Sequence, residues 1–466
     1  MPKSAHQLFQ DQQDTMQKLQ VTEPELFIAE HLFDENEVLP KVGITALATN
    51  RVNGYIRFYP QDFIVEEMQQ NGDISAIEPR NDILEDNKDG RTLYADLIKI
   101  GMPTIEAIRR MGDALKIPVN KIGFAGIKDA QALTSQKISI AKITYDEIKD
   151  KKFDGFFLTD FSYDKGSVQK SQLAGNRFTI FIRTEKEVEQ NYLKEKLTDL
   201  KNNGFLNYYQ TQRFGGLRLM SHIFGKLILQ GKYERTIEVF LTEPGYYDIP
   251  LVINTRLEAK QHYGDWRKMK NIFSEFSHTF QNEIRVLDYL IKNNDNFIGA
   301  LISIQDQTTL WVYAYASLLF NRYLSENSDT HQEIPVLLSD KKNDRKIYQK
   351  WLDEHEIDNI EETLAPFKFI KLQNRPTPTK VFPEDIMFMS TSAGVIISFF
   401  LPKGAYATTF LMNLFKLQQG TPVPDWVKAN KCNIKKYLKI GTAEPAEEIL
   451  KDYITTLNIT SKRNEE

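Results

Sequence analysis

Along this chain the spacing of hydrophobic positions changes several times, and each change predicts an element. Ile105, Ile108, Met111 and Leu115 recur at helical spacing after Pro103, whereas residues 137–140 alternate like a strand. Residues 123–136 between them read as an irregular link. Residues 54–67 hold two short apolar runs hinged at Pro60, with aromatic and β-branched residues at period two, so a strand is expected on each side. A polar loop over 71–92 leads into another strand, 92–99. Phe178, Ile180 and Ile182 alternate with Thr179, Phe181 and Arg183, the pattern of a half-buried strand. Val188, Tyr192, Leu193, Leu197 and Leu200 then form a helical stripe, which Asn202, Asn203 and Gly204 end with residues able to adopt a left-handed cap. Beyond residue 230 long amphipathic helices dominate. Ile284, Leu287, Leu290 and Ile291 make one stripe, and residues 310–324 are apolar almost all round, as a buried helix is. The stretch 340–362 reads as polar surface, and residues 395–408 as a strand followed by a helix.

Composition adds limits. With 466 residues, 41% hydrophobic and 11% aromatic, the chain is long enough for two or three domains with a substantial core. A formal charge of -4 does not announce a nucleic-acid binder, so any RNA contact must come from a local basic surface. The single cysteine, Cys432, excludes an internal disulfide and a multi-cysteine metal site, and fits a reducing compartment. The histidines show no ligand spacing, so no metal is expected. Neither a phosphate loop, a nucleophile elbow nor a dinucleotide fingerprint is present. The first twenty residues have no apolar leader run, and no stretch approaches the roughly 20 apolar residues of a membrane span. These features predict a soluble, cytoplasmic monomer with no membrane partner.

Three segments carry candidate chemistry. Asp129 follows Lys128 and two glycines, Gly123 and Gly126, that let the backbone turn tightly near a ligand. Alone, a loop aspartate reads as a helix cap. Arg57 precedes Pro60, Asp62, Phe63, Val65 and Glu67, and offers a cation to a carboxylate or a phosphate. Asn207, Tyr209, Gln212 and Arg213 combine an aromatic ring with polar edge-readers, the equipment for a base drawn from its stack.

Read together, these segments resemble the TruD family of tRNA pseudouridine synthases. Gly126, Lys128, Asp129, Ala132, Thr134 and Gln136 match its signature; Arg57 stands where the family has lysine, Tyr209 where it has phenylalanine, and Gln210 where it has glycine. Gly175, Asn176 and Phe178 match a third stretch, and Leu401, Pro402, Gly404, Tyr406, Ala407 and Thr408 a fourth, with Ala405 for serine. The resemblance implies an α+β catalytic domain with a mixed, largely antiparallel sheet, interrupted by a helix-rich insertion domain. It divides the chain into an extension over 1–50, a catalytic domain over 51–230 and 371–415, an insertion over 231–370, and an extension over 416–466. It further implies a cofactor-free isomerase that flips a uridine of tRNA, uridine-13 of the D arm, in a cleft between the lobes. Asp129 would be the essential carboxylate, with Arg57, Lys128, Asn207, Tyr209, Gln212 and Arg213 supporting it or the substrate. Whether Asp129 attacks the base, attacks the sugar or abstracts a ribose proton stays open. The competing expectation is a catalytically silent RNA-binding or RNA-folding protein using the same cleft. In the extensions, an apolar cluster of Leu26, Phe27, Ile28, Leu32 and Phe33 reads as structural or regulatory. Lys428, Lys431, Lys435, Lys436 and Lys439 read as an exposed lysine face, with RNA contact as the second reading.

Overall fold

The alternating runs pair into one ten-stranded sheet in a computed structural model of the chain. The structure describes residues 5–29, 34–47, 50–80, 92–216, 218–329, 332–420 and 422–453. Leu32, Phe33, residues 81–91 of the polar loop and residues 454–466 of the tail lie outside the described residues. The strands are β1 (Val52–Tyr55), β2 (Phe63–Gln69), β3 (Thr92–Ile100), β4 (Ile122–Phe124), β5 (Leu133–Ile140), β6 (Phe156–Asp164), β7 (Leu173–Thr184), β8 (Glu384–Thr391), β9 (Gly394–Pro402) and β10 (Phe415–Gln418). The main path runs β8-β9-β7-β2-β5-β3-β6; β1 pairs with β7 and β10, and β4 with β5. All pairings are antiparallel except β2 with β5 and β1 with β10.

This topology positions the candidate chemistry. Because β2 and β5 run parallel, with Ile64 opposite Leu133, the segments that precede them reach the same end of the strands. Those segments carry Arg57 and Asp129. The antiparallel β3 ends there too, with Ile100 opposite Leu133.

Period-two alternation sends Phe63, Val65, Phe178, Ile180 and Ile182 to one face, where they pack with Leu193, Leu197 and Leu200 of the Gln190–Asn203 helix and with Phe399 and Phe410. That helix ends at Gly204, whose φ of 69° suits a residue without a Cβ. Ile64, Ile98, Leu133, Phe181 and Ile396 point the other way, and here the half-buried expectation for β7 fails. Ile434, Leu438, Ala443, Ala446 and Leu450 from the C-terminal segment cover this second face, so residues 178–184 are buried on both sides. Each such apolar side chain contributes about 1.5–3 kcal/mol by leaving water. The helix after Pro103 spans Thr104–Leu115 and buries Ala107, Ile108 and Met111 against β3 and β5, while Ile105 stays exposed.

The chain divides into two compact units, one of Ala48–Phe205 with Val381–Glu466, the other of Met1–Leu47 with Leu206–Lys380. The first contains the sheet. Residues 206–230 therefore pack with the second, helical unit, and the C-terminal segment packs with the sheet. In the helical unit the Gln305–Glu326 helix buries twelve residues, in keeping with its apolar run. It crosses the Ser221–Leu229 helix at Gly225, where a Cβ would stand 2.1 Å from the Trp311 carbonyl oxygen. The stretch 340–362 is less exposed than its composition suggests, because Tyr348, Trp351 and Leu352 are buried and Arg345 pairs with Glu361 at 2.8 Å.

The tail lysines depart from the expected exposed face at one position, Lys435. Lys435 is buried against Glu66 at 2.6 Å, whereas Lys428, Lys431, Lys436 and Lys439 are exposed, with Lys436 paired to Glu444 and Lys428 donating to the Ser392 carbonyl. Among the described residues, no helix is long and apolar enough to cross a membrane.

Candidate active site

Asp129 lies on the loop between β4 and β5, and most of the residues around it serve to fix that loop. Gln136 donates from Nε2 to the Gly126 carbonyl at 3.0 Å, and the Lys128 amide donates to Thr104 Oγ1 at 2.9 Å; Thr104 in turn donates to Gln136 Oε1. Ala132 is fully buried in the core beneath. The spacing of Gly126 and Gln136 is thereby explained: the glutamine ties the loop to the strand that follows, while Thr104, outside the motif at the start of the preceding helix, holds the Lys128 amide. The Asp129 side chain is about one-third exposed, so it is held at its base and open at its tip.

The carboxylate meets Arg57, whose Nη2 donates to Asp129 Oδ2 at 2.9 Å. Arg57 itself is buried, with its guanidinium 4.1 Å from the Phe63 ring centroid and Nη1 donating to Gln419 Oε1 at 2.7 Å. Its backbone takes a φ of 59°, a left-handed conformation disfavoured for any residue with a Cβ by about 1–2 kcal/mol. Such strain persists only where surrounding contacts over-determine it, and it concentrates at functional positions. The acids after Pro60 hold this segment. Asp62 caps the Tyr59 amide and pairs with buried Arg183 at 2.9 Å; burial outweighs that cation and raises the Asp62 carboxyl to about 6.

Lys128 does not face Asp129. Its Nζ sits 2.5 Å from Glu67 Oε2 and 2.8 Å from Asn176 Oδ1, a buried charge compensated by two motif residues. The cation beneath the Asp129 backbone is instead Lys99, wholly buried at the end of β3. Its Nζ lies 2.7 Å from the carbonyl oxygens of both Met102 and Asp129. Burial lowers the Lys99 amine to about 7, the Asp129 charge pulls it upward, and Lys128 pushes it further down. Sequence reasoning passed over this residue, although a signal was there. Lys99 falls on the face of β3 occupied by Leu93, Ala95 and Leu97, and a lysine in an apolar row is rarely buried without partners.

The remaining predicted residues belong to the helical unit. Asn207 is buried, and its Nδ2 donates to the Pro378 carbonyl at 3.0 Å, so it fixes backbone there. Tyr209 is held by Asn321, which accepts from its amide at 2.8 Å and donates to its carbonyl at 2.9 Å. The Tyr209 ring meets Phe320 edge-on at 5.5 Å, and the Arg213 guanidinium lies 5.2 Å from its centroid. Gln212 is exposed, and Phe214 is core. Gln210 has φ -86°, ordinary extended backbone, so its position makes no demand for glycine.

Comparison with known proteins identifies the family and the fold. The sequence model of tRNA pseudouridine synthase D (TruD) matches residues 41–365. A probable tRNA pseudouridine synthase D 1 of Methanocaldococcus jannaschii is 30% identical over 277 residues, 58% of this chain and 68% of that protein. A probable tRNA pseudouridine synthase D of Methanococcus vannielii is 31% identical over 284 residues, 60% of this chain and 70% of that one. The crystal structure of a putative tRNA pseudouridine synthase D from Methanosarcina mazei shares the fold, with a TM-score of 0.61 at 22% identity, covering 82% of this chain and 98% of that chain. A family match running through both the Arg57 and Asp129 segments and across most of the chain assigns it: the protein belongs to the tRNA pseudouridine synthase D (TruD) family of isomerases.

Proposed function

We propose that this protein converts one uridine of tRNA, uridine-13 in the D arm, to pseudouridine, with Asp129 as the essential carboxylate. The observation that carries the reading is the 2.9 Å contact between Arg57 Nη2 and Asp129 Oδ2 on a carboxylate still about one-third exposed. The reaction breaks the bond between uracil N1 and ribose C1′, turns the base, and forms a bond from C5 to C1′. The proton on C5 leaves and N1 gains one, so the change is redox-neutral. Such chemistry asks for an ionised carboxylate that can attack or take a proton. Arg57 stabilises that charge on Oδ2, while Oδ1 has no hydrogen-bond partner among the described residues and is the oxygen available to the substrate. Lys99 and Thr104 fix the backbone that aims it. A base reached this way must first leave its stack, at a cost of a few kcal/mol. In the helical unit, Tyr209 offers RNA a flat ring, worth about 1–3 kcal/mol per stacked base, and Gln212 and Arg213 offer polar contacts beside it.

The test is pseudouridine formation in unmodified tRNA transcripts, mapped by position, for wild type and Asp129→Asn. Conversion at one D-arm uridine that vanishes in the variant, with RNA binding retained, is the expected result. Tight binding without conversion by the wild type would favour the silent RNA-binding protein.

A further inference from the structure

The loop that carries Asp129 inverts the usual sorting of side chains. Lys128 is 5% exposed, while its apolar neighbour Ile127 is 69% exposed. A single exposed isoleucine is ordinary on a protein surface. This one is not loosely placed. On its two sides the Gly126 carbonyl accepts from Gln136 and the Lys128 amide donates to Thr104, so the backbone that presents it is fixed. Thr104 is followed by a second exposed isoleucine, Ile105, at 50%. Burying Lys128 required Glu67 and Asn176 as partners, whereas exposing Ile127 leaves an apolar side chain in water two residues from the reacting carboxylate.

We propose that Ile127 is a wedge for the substrate RNA: it enters the space a flipped uridine leaves and packs on the neighbouring nucleobase. The proposal rests on the reading of Asp129 as the essential carboxylate. A base drawn out of a helical stack leaves two apolar base faces exposed to water, and proteins that unstack nucleic acid commonly fill such a gap with an aliphatic side chain. An isoleucine on a rigid loop next to the carboxylate meets that need without a hydrogen-bonding requirement, so it tolerates any neighbouring base. Ile127 then acts on the unstacking step and leaves the bond-making step alone.

The experiment compares Ile127→Ala and Ile127→Leu with the wild type on two probes, an unmodified tRNA transcript and its D-arm strand as a single-stranded oligonucleotide. Removing three carbons from a contact buried in the complex should lower kcat/KM on the folded transcript by about 10- to 50-fold. On the single strand, which has no stack to open, Ile127→Ala should stay close to the wild type, and Ile127→Leu should keep most activity on both probes. A 2-aminopurine beside the reacting uridine should brighten on binding wild type or Asp129→Asn and brighten much less on binding Ile127→Ala. Because the side chain is exposed, thermal midpoints should be unchanged. Equal activity of Ile127→Ala and wild type on the folded transcript, or an equal loss on both probes, would overturn the wedge. Conversion that survives in Asp129→Asn would instead overturn the underlying reading, and the two failures are distinguishable.

Discussion

Replacing Lys99 with methionine probes the buried support of the active-site loop. Methionine keeps the unbranched side chain but removes the donor that lies 2.7 Å from the Met102 and Asp129 carbonyls. Two acceptors lose their partner, at about 1–3 kcal/mol each. Against this, the variant no longer buries an ionisable group. Burial lowers the Lys99 pKa from 10.5 to about 7, so between those values the unfolded chain binds a proton that the folded chain does not. Stability contributed through Lys99 consequently rises with pH across that window, by about 1.4 kcal/mol per unit once the folded amine has titrated. Below the window both states are protonated, and the folded state carries the whole cost of the buried charge, on the order of 5 kcal/mol. The wild type should therefore gain about 2 kcal/mol on Lys99→Met between about pH 7 and pH 9. Urea unfolding over this range, followed by amide exchange in β3 peptides, measures the difference within the sheet unit. Parallel pH profiles for the two proteins would refute the reasoning, since they would mean that Lys99 does not change protonation in the window.

Two further outcomes follow from the helical unit. Asn321→Leu strips partners from the Tyr209 amide, the Tyr209 carbonyl and the Val42 carbonyl; it should cost about 2–4 kcal/mol in unfolding experiments and weaken RNA binding in a filter assay, because the Tyr209 backbone is freed. Gly225→Ala places a methyl group 2.1 Å from the Trp311 carbonyl oxygen and should destabilise the unit by about 1–3 kcal/mol, seen as a lower thermal midpoint.

Much of the sheet was legible because its strands obey period two and turn residues such as Pro60 and Gly404 lie beside their ends. The Arg57 and Asp129 pair was legible from the family pattern, and their meeting follows from the parallel pairing of β2 with β5. What stayed hidden depends on contacts between residues distant in sequence. Nothing near Lys128 in the chain announces that Glu67, some sixty residues earlier, takes its charge. The half-buried pattern of β7 was misread because Arg183 and the threonines look like solvent-facing positions until Asp62 and the C-terminal segment are in place. Residues 206–230 resemble a continuation of the catalytic region in sequence, yet Asn321 draws Tyr209 into the helical unit.

The pairing of β1 with β10 reaches from residue 52 to residue 418. On the ribosome, the sheet therefore waits until residue 418 has been made. When β7 has emerged, its partner β9 has still to be translated, and so has the segment that will cover Phe181. Sheets closed by such distant pairings form slowly and expose aggregation-prone edges meanwhile. A product truncated before residue 419 would lack the cover of one sheet face, the Gln419 partner of Arg57 and the carbonyl that Arg183 uses at Lys428. Synthesis thus sets an order: the brace on Asp129 gains its own partner, Gln419, only after some 290 further residues have been made.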